Sequence, residues 1–173
     1  MSLDFDVRKQ CLEKEYVYKI EAGLGDALWN PIQQHKLVYS INSRLDTLEM
    51  KKGLQEFLGL HNFYNFTIRN QTIKHETFRF MRNINEIYLV EEKSEKEEEK
   101  NIQKIILGFK AKGFLTYQIR YMVNALKDVG EGNYSIENIR NALNVEENHE
   151  PEIGRRTAPA KGLFLKNVIF KET

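Results

Sequence analysis

Arg120 is the residue of this sequence whose surroundings most suggest chemistry. It stands in GFLTYQIRYMV, residues 113–123, among mostly apolar side chains. A guanidinium in such a run normally needs an anion, and its planar fork suits a carboxylate or a phosphate. The residue also fits a plain polar stripe, because Thr116, Asn124 and Lys127 recur with it at helical spacing. The pattern alone slightly favours a solvated helix face and leaves an anion site as the alternative.

Tyr16 is a second candidate, in the alternating stretch EYVYKI. Tyr16, Tyr18 and Ile20 fall on one face of a strand, and aromatic residues at that spacing usually pack in a core. A ring in this position can instead stack on a nucleobase. The residues themselves favour core packing.

Cationic side chains form two further groups. Lys104, Lys110 and Lys112 share one face of a predicted strand, while Arg155 and Arg156 stand in a polar connection. Each group is typical of a solvated surface, and each could instead follow the phosphates of a nucleic acid.

Other common kinds of site are not indicated. We find no Ser-His-Asp or Cys-His arrangement and no His-Glu-x-x-His on a helix. The four histidines and the single cysteine, Cys11, lack metal-ligand spacing, so the sequence predicts no metal site.

Composition describes an ordinary globular chain. It has 173 residues, 41% of them hydrophobic and 29% charged, with a net charge of +1. Acidic residues crowd into EEKSEKEEEK, residues 91–100, which we expect to form a charged loop. No apolar run approaches the roughly 18 residues of a membrane helix, and no signal peptide is recognisable. One cysteine indicates a reducing compartment, so we expect an intracellular protein of the nucleus or cytoplasm.

The elements that must position these residues can be predicted from periodicity. We expect strands around residues 15–20, 76–90, 101–114 and 162–170, with one or two strands in the second range. Helices are predicted after Asp46, a candidate N-cap, from about Thr116, and after Ser135. This order lacks strict β-α-β alternation. It predicts one α+β domain over residues 1–173, with a largely antiparallel mixed sheet and helices packed on one face.

Four separated stretches together resemble the TruA-type tRNA pseudouridine synthases, in that family's order. They are FDVRKQCLEKEYVYKI, FLGLHNFYNFT, GFLTYQIRYMV and APAKGLFLKNVIF. The likeness extends from about Phe5 to Phe170. The Asn of HNF and the Gln-Ile-Arg sequence resemble the eukaryotic branch of this family.

The resemblance implies an isomerase that converts selected uridines of tRNA, or another structured RNA, to pseudouridine without a cofactor. It implies a catalytic aspartate, an arginine paired with it and a tyrosine against the flipped base. By the motif match, Tyr16 is that tyrosine, Arg120 is that arginine and Leu163 lines the pocket. His61 and Asn62 fall in a family element and are candidate RNA contacts, as are Lys110 and Lys112.

The family's aspartate stands in a Gly-Arg-Thr-Asp-x-Gly-Val element that nothing here matches. Asp46 is better explained as a helix cap, and Asp4, Asp6, Asp26 and Asp128 lack the motif. Residues 1–3 look like an added leader. We therefore expect the C-terminal half of a synthase catalytic domain, inactive alone, whose partner is the missing N-terminal half; a homodimer is compatible with it. The alternatives are a non-catalytic RNA-binding module and a protein-interaction domain without RNA contact.

Overall fold

The structure, a computed structural model, describes residues 10–24, 37–68, 77–93, 101–145 and 152–171. Its strands are β1 (Cys11–Gly23), β2 (Tyr39–Ile41), β3 (Gly59–Asn62), β4 (Met81–Glu92), β5 (Ile102–Ala111) and β6 (Leu163–Phe170). Its helices are α1 (Thr47–Gln55), α2 (Gln118–Gly130) and α3 (Ile136–Leu143). Short 3₁₀ turns cover Tyr64–Phe66, Thr77–Phe80 and Ala160–Gly162.

The strands form one six-stranded sheet around the long strand β1. Their order is β2-β1-β5-β4-β3, and β6 also pairs with β1. The β1–β2 pairing is parallel and the others are antiparallel. Along one edge β1 pairs with β5, while its other edge is divided between β6 and β2. The predicted mixed, largely antiparallel sheet is confirmed.

The hydrophobic core lies between one face of this sheet and the helices. Alternate residues of β1 and β5 enter it, among them Tyr18, Ile20, Leu107 and Phe109. Apolar residues of α1, α2 and α3 meet them, among them Met50, Leu54, Met122, Leu126 and Ile139. Burying large apolar side chains of this kind contributes about 1.5–3 kcal/mol each. Because the three helices pack on one face of a six-stranded sheet, the predicted α+β class is confirmed.

Helix α1 begins as the sequence predicts. The side chain of Asp46 accepts hydrogen bonds from the main-chain N–H groups of Leu48 and Glu49, both at 3.0 Å. At the start of α3, the side chain of Asn138 accepts hydrogen bonds from the N–H and the hydroxyl of Ser135, both at 2.9 Å. Asp46 is therefore a helix cap, in agreement with the sequence interpretation.

Helix α2 begins later than predicted. We expected it from about Thr116, whereas its first helical residue is Gln118. The reason is Tyr117, whose φ of 62° lies in the left-handed region and cannot continue a right-handed helix.

Three other predictions are corrected or left open. Strands β2 and β3 were not predicted, because three or four residues are too few for a visible alternation. The first two residues of the predicted loop 91–100 belong to β4, which pairs with β5 as far as Glu92. Residues 94–100 and the leader 1–3 lie outside the described residues.

The outer face of β1 is more covered than its alternation indicates. Glu15 and Val17 alternate with Tyr16 and Tyr18 and therefore lie on the opposite face of β1, yet both are buried. The hydroxyl of Tyr88, on β4, donates to Glu15 Oε1 at 2.9 Å. Lys166 Nζ, from β6, donates to the same oxygen at 2.9 Å. Side chains of the neighbouring strands thus cover the outer face at this point.

Candidate active site

Arg120 lies in the first turn of α2 and is half-buried. Its Nε donates to the carbonyl oxygen of Ala158 at 2.6 Å, and its Nη2 donates to Thr157 Oγ1 at 3.2 Å. The main-chain N–H of Ala158 returns a hydrogen bond to the Arg120 carbonyl at 3.0 Å. One edge of the guanidinium is therefore fixed by the segment that leads into β6.

The same guanidinium lies over an aromatic ring. Arg120 Cζ lies 4.7 Å from the ring centroid of Tyr117, within the range of a cation–π interaction. Among the described residues, no carboxylate lies within ion-pair distance of Arg120. Arginine carries five N–H donors, and the two bonds above use only part of that set. The arrangement leaves donors available for an acceptor from outside the described residues.

This outcome differs from the solvated-face interpretation of Arg120, while the anion-site interpretation stays a prediction. It is not on a solvated stripe, because its side chain is half-buried and bonded to a segment 37 to 38 residues away. Nor does a carboxylate of the described core pair with it. A carbonyl, a hydroxyl and a ring hold it instead.

The segment that holds Arg120 is itself attached to β1 through Tyr18. The fully buried Tyr18 hydroxyl donates to the carbonyl oxygen of Pro159 at 2.6 Å. Burial raises the pKa of Tyr18 well above its ordinary value, so the phenol stays a neutral donor. A Cβ at Gly162 would lie 2.7 Å from Tyr18 Cε1, so the close approach requires glycine. Leu163, the next residue, pairs with Tyr18 in the β1–β6 register.

Tyr16 lies two residues before Tyr18 on the same face of β1. Its ring is half-buried and meets Phe114 edge-to-face, with centroids 5.5 Å apart. Its register partners are Phe109 on β5 and Leu165 on β6. Unlike Tyr18, its hydroxyl makes no hydrogen bond to any residue that the structure describes. Tyr16 thus lies at the margin of the core and not in its interior.

Tyr16, Arg120 and Leu163 are linked indirectly, through contacts that their neighbours in the chain make. Phe114, the partner of the Tyr16 ring, is six residues before Arg120 in the connection from β5 to α2. Ala158 and Pro159, which bond Arg120 and Tyr18, lead directly to Leu163. The residues that the resemblance singles out from three distant stretches are thereby brought to one side of β1.

The two lysines named as RNA contacts lie elsewhere. Lys110 alternates with the buried Phe109 and Ala111, so it projects from the outer face of the sheet. Its Nζ lies 2.8 Å from Glu86 Oε2, and this hydrogen bond raises the pKa of Lys110. Lys112 follows the end of β5 and is exposed. Of these two cations, Lys110 already has an acidic partner.

His61 and Asn62 lie on β3, which β4 and β5 separate from β1. A ring nitrogen of His61 is 2.8 Å from the carbonyl oxygen of Leu58. The Asn62 side chain accepts a hydrogen bond from the Tyr64 N–H at 3.0 Å. The structure does not bring these residues to Tyr16, and their side-chain hydrogen bonds are local ones.

Sequence reasoning missed the residues that hold Arg120. Thr157 and Ala158 stand in a polar connection without periodicity, and the partner of the Tyr18 hydroxyl is 141 residues away. The left-handed backbone at Tyr117 also gives no local signal, because glycine, asparagine and aspartate are the usual residues there.

Metal clusters and membrane-spanning helices are both absent from the part of the chain that the structure describes. Within the described ranges, no group of three or more His, Cys, Asp or Glu side chains could hold a metal ion. None of the helices in those ranges has the length and apolar character needed to cross a membrane.

Comparison with known proteins gives the chain its relatives. The sequence model of a family described as tRNA pseudouridine synthase matches residues 54–171. The chain is 31% identical over 170 residues to tRNA pseudouridine synthase A of Exiguobacterium sibiricum, covering 98% of the chain and 59% of that protein. It is 28% identical to tRNA pseudouridine synthase-like 1 of Xenopus laevis, covering 98% of the chain and 57% of that protein.

The same matches show how much of its relatives' length the chain spans and which branches of the family it resembles. The chain spans less than two thirds of the curated relatives that it matches, about 59% of the bacterial protein above. Bacterial and animal relatives match at comparable identity, so the eukaryotic branch stays a prediction.

Proposed function

The chain belongs to the tRNA pseudouridine synthase family, and we propose that it is the C-terminal half of the catalytic domain of an enzyme that isomerises uridine to pseudouridine in tRNA. The observation that carries this proposal is the fixed guanidinium of Arg120. It is held along one edge and one face, and N–H donors remain for a further acceptor. A permanently charged group so placed would keep a carboxylate ionised and oriented.

We assign a role to each of Tyr16, Arg120 and Leu163. The Tyr16 ring, at the margin of the core, packs against a uracil base that has left its stack in the RNA. Arg120 pairs with the carboxylate of a catalytic aspartate. Leu163 lines the pocket that receives the base.

We propose that the aspartate comes from a segment upstream of this chain. Asp46 is engaged as the cap of α1. Asp128 accepts hydrogen bonds from Asn124 and Lys127, and it lies eight residues beyond Arg120, about 12 Å along the helix axis. Asp4, Asp6 and Asp26 lie outside the described residues, and none stands in the family's Gly-Arg-Thr-Asp-x-Gly-Val element. The 173-residue chain alone is then expected to bind the base poorly and to isomerise nothing.

Further assignments accompany this one. We propose that the chain is a single domain of an intracellular protein and that its partners are tRNA and the upstream half of the same polypeptide. Lys112 and, once released from Glu86, Lys110 contact phosphates on the outer face of the sheet. No cofactor enters the proposed chemistry.

The test is an assay of pseudouridine in tRNA. The protein encoded by the complete reading frame around this chain is compared with the 173-residue chain at equal concentration, and the upstream sequence is read for an aspartate in the family's element. The proposal is supported if the longer protein forms pseudouridine and the 173-residue chain does not. Turnover by the 173-residue chain at enzyme-like rates contradicts the assignment of the aspartate. Saturable tRNA binding without product from the longer protein contradicts the enzymatic function and leaves the RNA-binding module. If the longer protein neither binds tRNA at low salt nor modifies it, the protein-interaction alternative replaces both.

A further inference from the structure

Tyr117 has a backbone conformation that its residue type disfavours. Its φ is 62° and its ψ is 6°, and it is the one non-glycine residue with positive φ among the residues described. Left-handed backbone costs free energy for any residue with a Cβ, and it is least costly for asparagine and aspartate among them. A tyrosine persists in this conformation only where its surroundings hold it there.

Helix capping does not account for the conformation. Tyr117 is the N-cap residue of α2, yet its side chain makes no capping hydrogen bond. Its contribution to the helix start is the carbonyl, which accepts from the Tyr121 N–H at 3.0 Å. Any residue could supply that carbonyl, so this contact does not explain a tyrosine.

Core burial does not account for it either, because 49% of Tyr117 is exposed. The ring instead supports the guanidinium of Arg120, three residues later, at 4.7 Å from Cζ to centroid. The hydrogen bonds from Nε and Nη2 fix the edge of this guanidinium, but rotation about that edge would still tilt its plane. Contact with the face of the ring removes this remaining freedom.

We propose that Tyr117 is a positioning residue of the active site. Its left-handed backbone directs the ring against the guanidinium, and the ring sets the plane in which Arg120 offers its remaining N–H groups to a carboxylate. This inference rests on the proposed function for its catalytic consequence, but its structural part concerns Arg120 alone.

Three substitutions separate the ring from the backbone. Tyr117→Phe keeps the ring and removes the hydroxyl. Tyr117→Ala and Tyr117→Gly both remove the ring, but only glycine relieves the left-handed backbone. Since both variants lose the same contact, the difference between their Tm values reports the strain of the left-handed backbone. We expect the Tm of the Gly variant to exceed that of the Ala variant by about 2–4 °C.

The readouts are taken on two proteins. In the 173-residue chain, NMR measures hydrogen exchange of the Arg120 Nε–H. We expect the Phe variant to match the parent, and the Ala and Gly variants to exchange faster by about 3- to 30-fold, the range of a lost cation–π contact. In the protein of the complete reading frame, we expect the Phe variant to keep kcat within about twofold. The Ala and Gly variants should lose about 3- to 30-fold in kcat with little change in KM for tRNA.

The contrast between the two ring-free variants makes the test specific. The Gly variant should lose kcat as the Ala variant does, although its Tm is higher than that of the Ala variant. This result is expected if the ring positions Arg120, and it is not expected if the ring only stabilises the fold. Equal exchange rates in all variants overturn the proposal, as does equal kcat in an active parent. An inactive parent with altered exchange refutes the proposed function while the placement of Arg120 by Tyr117 stands.

Discussion

Arg120 and Ala158 are joined twice, once through the arginine side chain at 2.6 Å and once through their main chains at 3.0 Å. The first residue belongs to the start of α2 and the second to the connection before β6. Because both ends of this contact are fixed, the position of the guanidinium depends on the packing of the connection. Changes in the connection should therefore reach the proposed active site without touching Arg120.

The first prediction concerns Thr157, whose Oγ1 accepts from Arg120 Nη2 at 3.2 Å. Thr157→Val keeps the shape and removes the acceptor, whereas Thr157→Ser keeps the acceptor. Since a hydrogen bond to a charged group contributes about 1.5–3 kcal/mol, the Val variant of the complete protein should lose about tenfold or more in kcat. Steady-state assays on tRNA measure this. Equal losses in the Ser and Val variants would contradict a role for the hydroxyl oxygen.

The second prediction concerns the bond between the Tyr18 hydroxyl and the Pro159 carbonyl at 2.6 Å. Tyr18→Phe leaves the carbonyl of the half-buried Pro159 without this donor. The free energy of unfolding should fall by about 1–3 kcal/mol. Urea unfolding of the 173-residue chain measures the change, and Tyr16→Phe is the matched control, because the Tyr16 hydroxyl bonds no described residue. A control that loses as much stability as Tyr18→Phe would refute this account.

The third prediction compares a glycine that has no room for a side chain with one that has open space around it. In Gly162→Ala the new methyl meets the Tyr18 ring at 2.7 Å, so the connection or the ring must shift. We expect a loss of about 1–3 kcal/mol in unfolding free energy. Gly113→Ala is the control, because a Cβ there meets nothing within 4 Å and the φ of Gly113 is not positive. Its unfolding free energy should stay within about 0.5 kcal/mol of the parent. A tolerated Gly162→Ala would show that the packing is looser than the structure describes.

The fourth prediction concerns pH and the cluster of Glu15, Tyr88 and Lys166. Hydrogen bonds from Lys166 and Tyr88 lower the pKa of Glu15 below its ordinary value of 4.5, against an opposing effect of burial. A lowered folded-state pKa contributes stability that is present above pH 4.5 and is lost as the pH falls through the folded value. Glu15→Gln should therefore cost about 0.5–1.5 kcal/mol at pH 7. The difference should shrink below pH 4.5, measured by urea unfolding at several pH values. A difference that stays constant would rule out the charged pair as its cause.

The fifth prediction concerns the lysines of the outer face. If Lys110 contacts phosphate, its bond to Glu86 at 2.8 Å competes with RNA. Glu86→Gln should then tighten tRNA binding by the complete protein, while Lys110→Ala together with Lys112→Ala weakens it and lowers the salt dependence of binding. Binding is measured across salt concentrations. Unchanged affinity in both variants would remove these lysines from the RNA surface.

Much of this fold could be predicted from the sequence, since β1, β4, β5 and β6 show the alternation of strands, and Asp46 and Ser135 mark helix starts. The short strands β2 and β3 could not, because their pairing depends on longer neighbours. Tyr16 was read correctly as facing inward. Its place at the margin of the core depends on Phe114, which follows from tertiary packing. For Arg120 the sequence indicated a need for a partner, but Ala158 lies 38 residues away in a loop without periodicity.

The most direct test of the central claim is kcat for pseudouridine formation in tRNA by the complete protein and its Arg120→Lys variant. Lysine keeps the charge but lacks the planar fork that meets Ala158, Thr157 and Tyr117 together. We predict an active parent and a variant reduced by at least about a hundredfold in kcat, as for a lost electrostatic partner in the reaction, with Tm within a few degrees. An active parent whose Arg120→Lys variant keeps its full kcat would contradict the account.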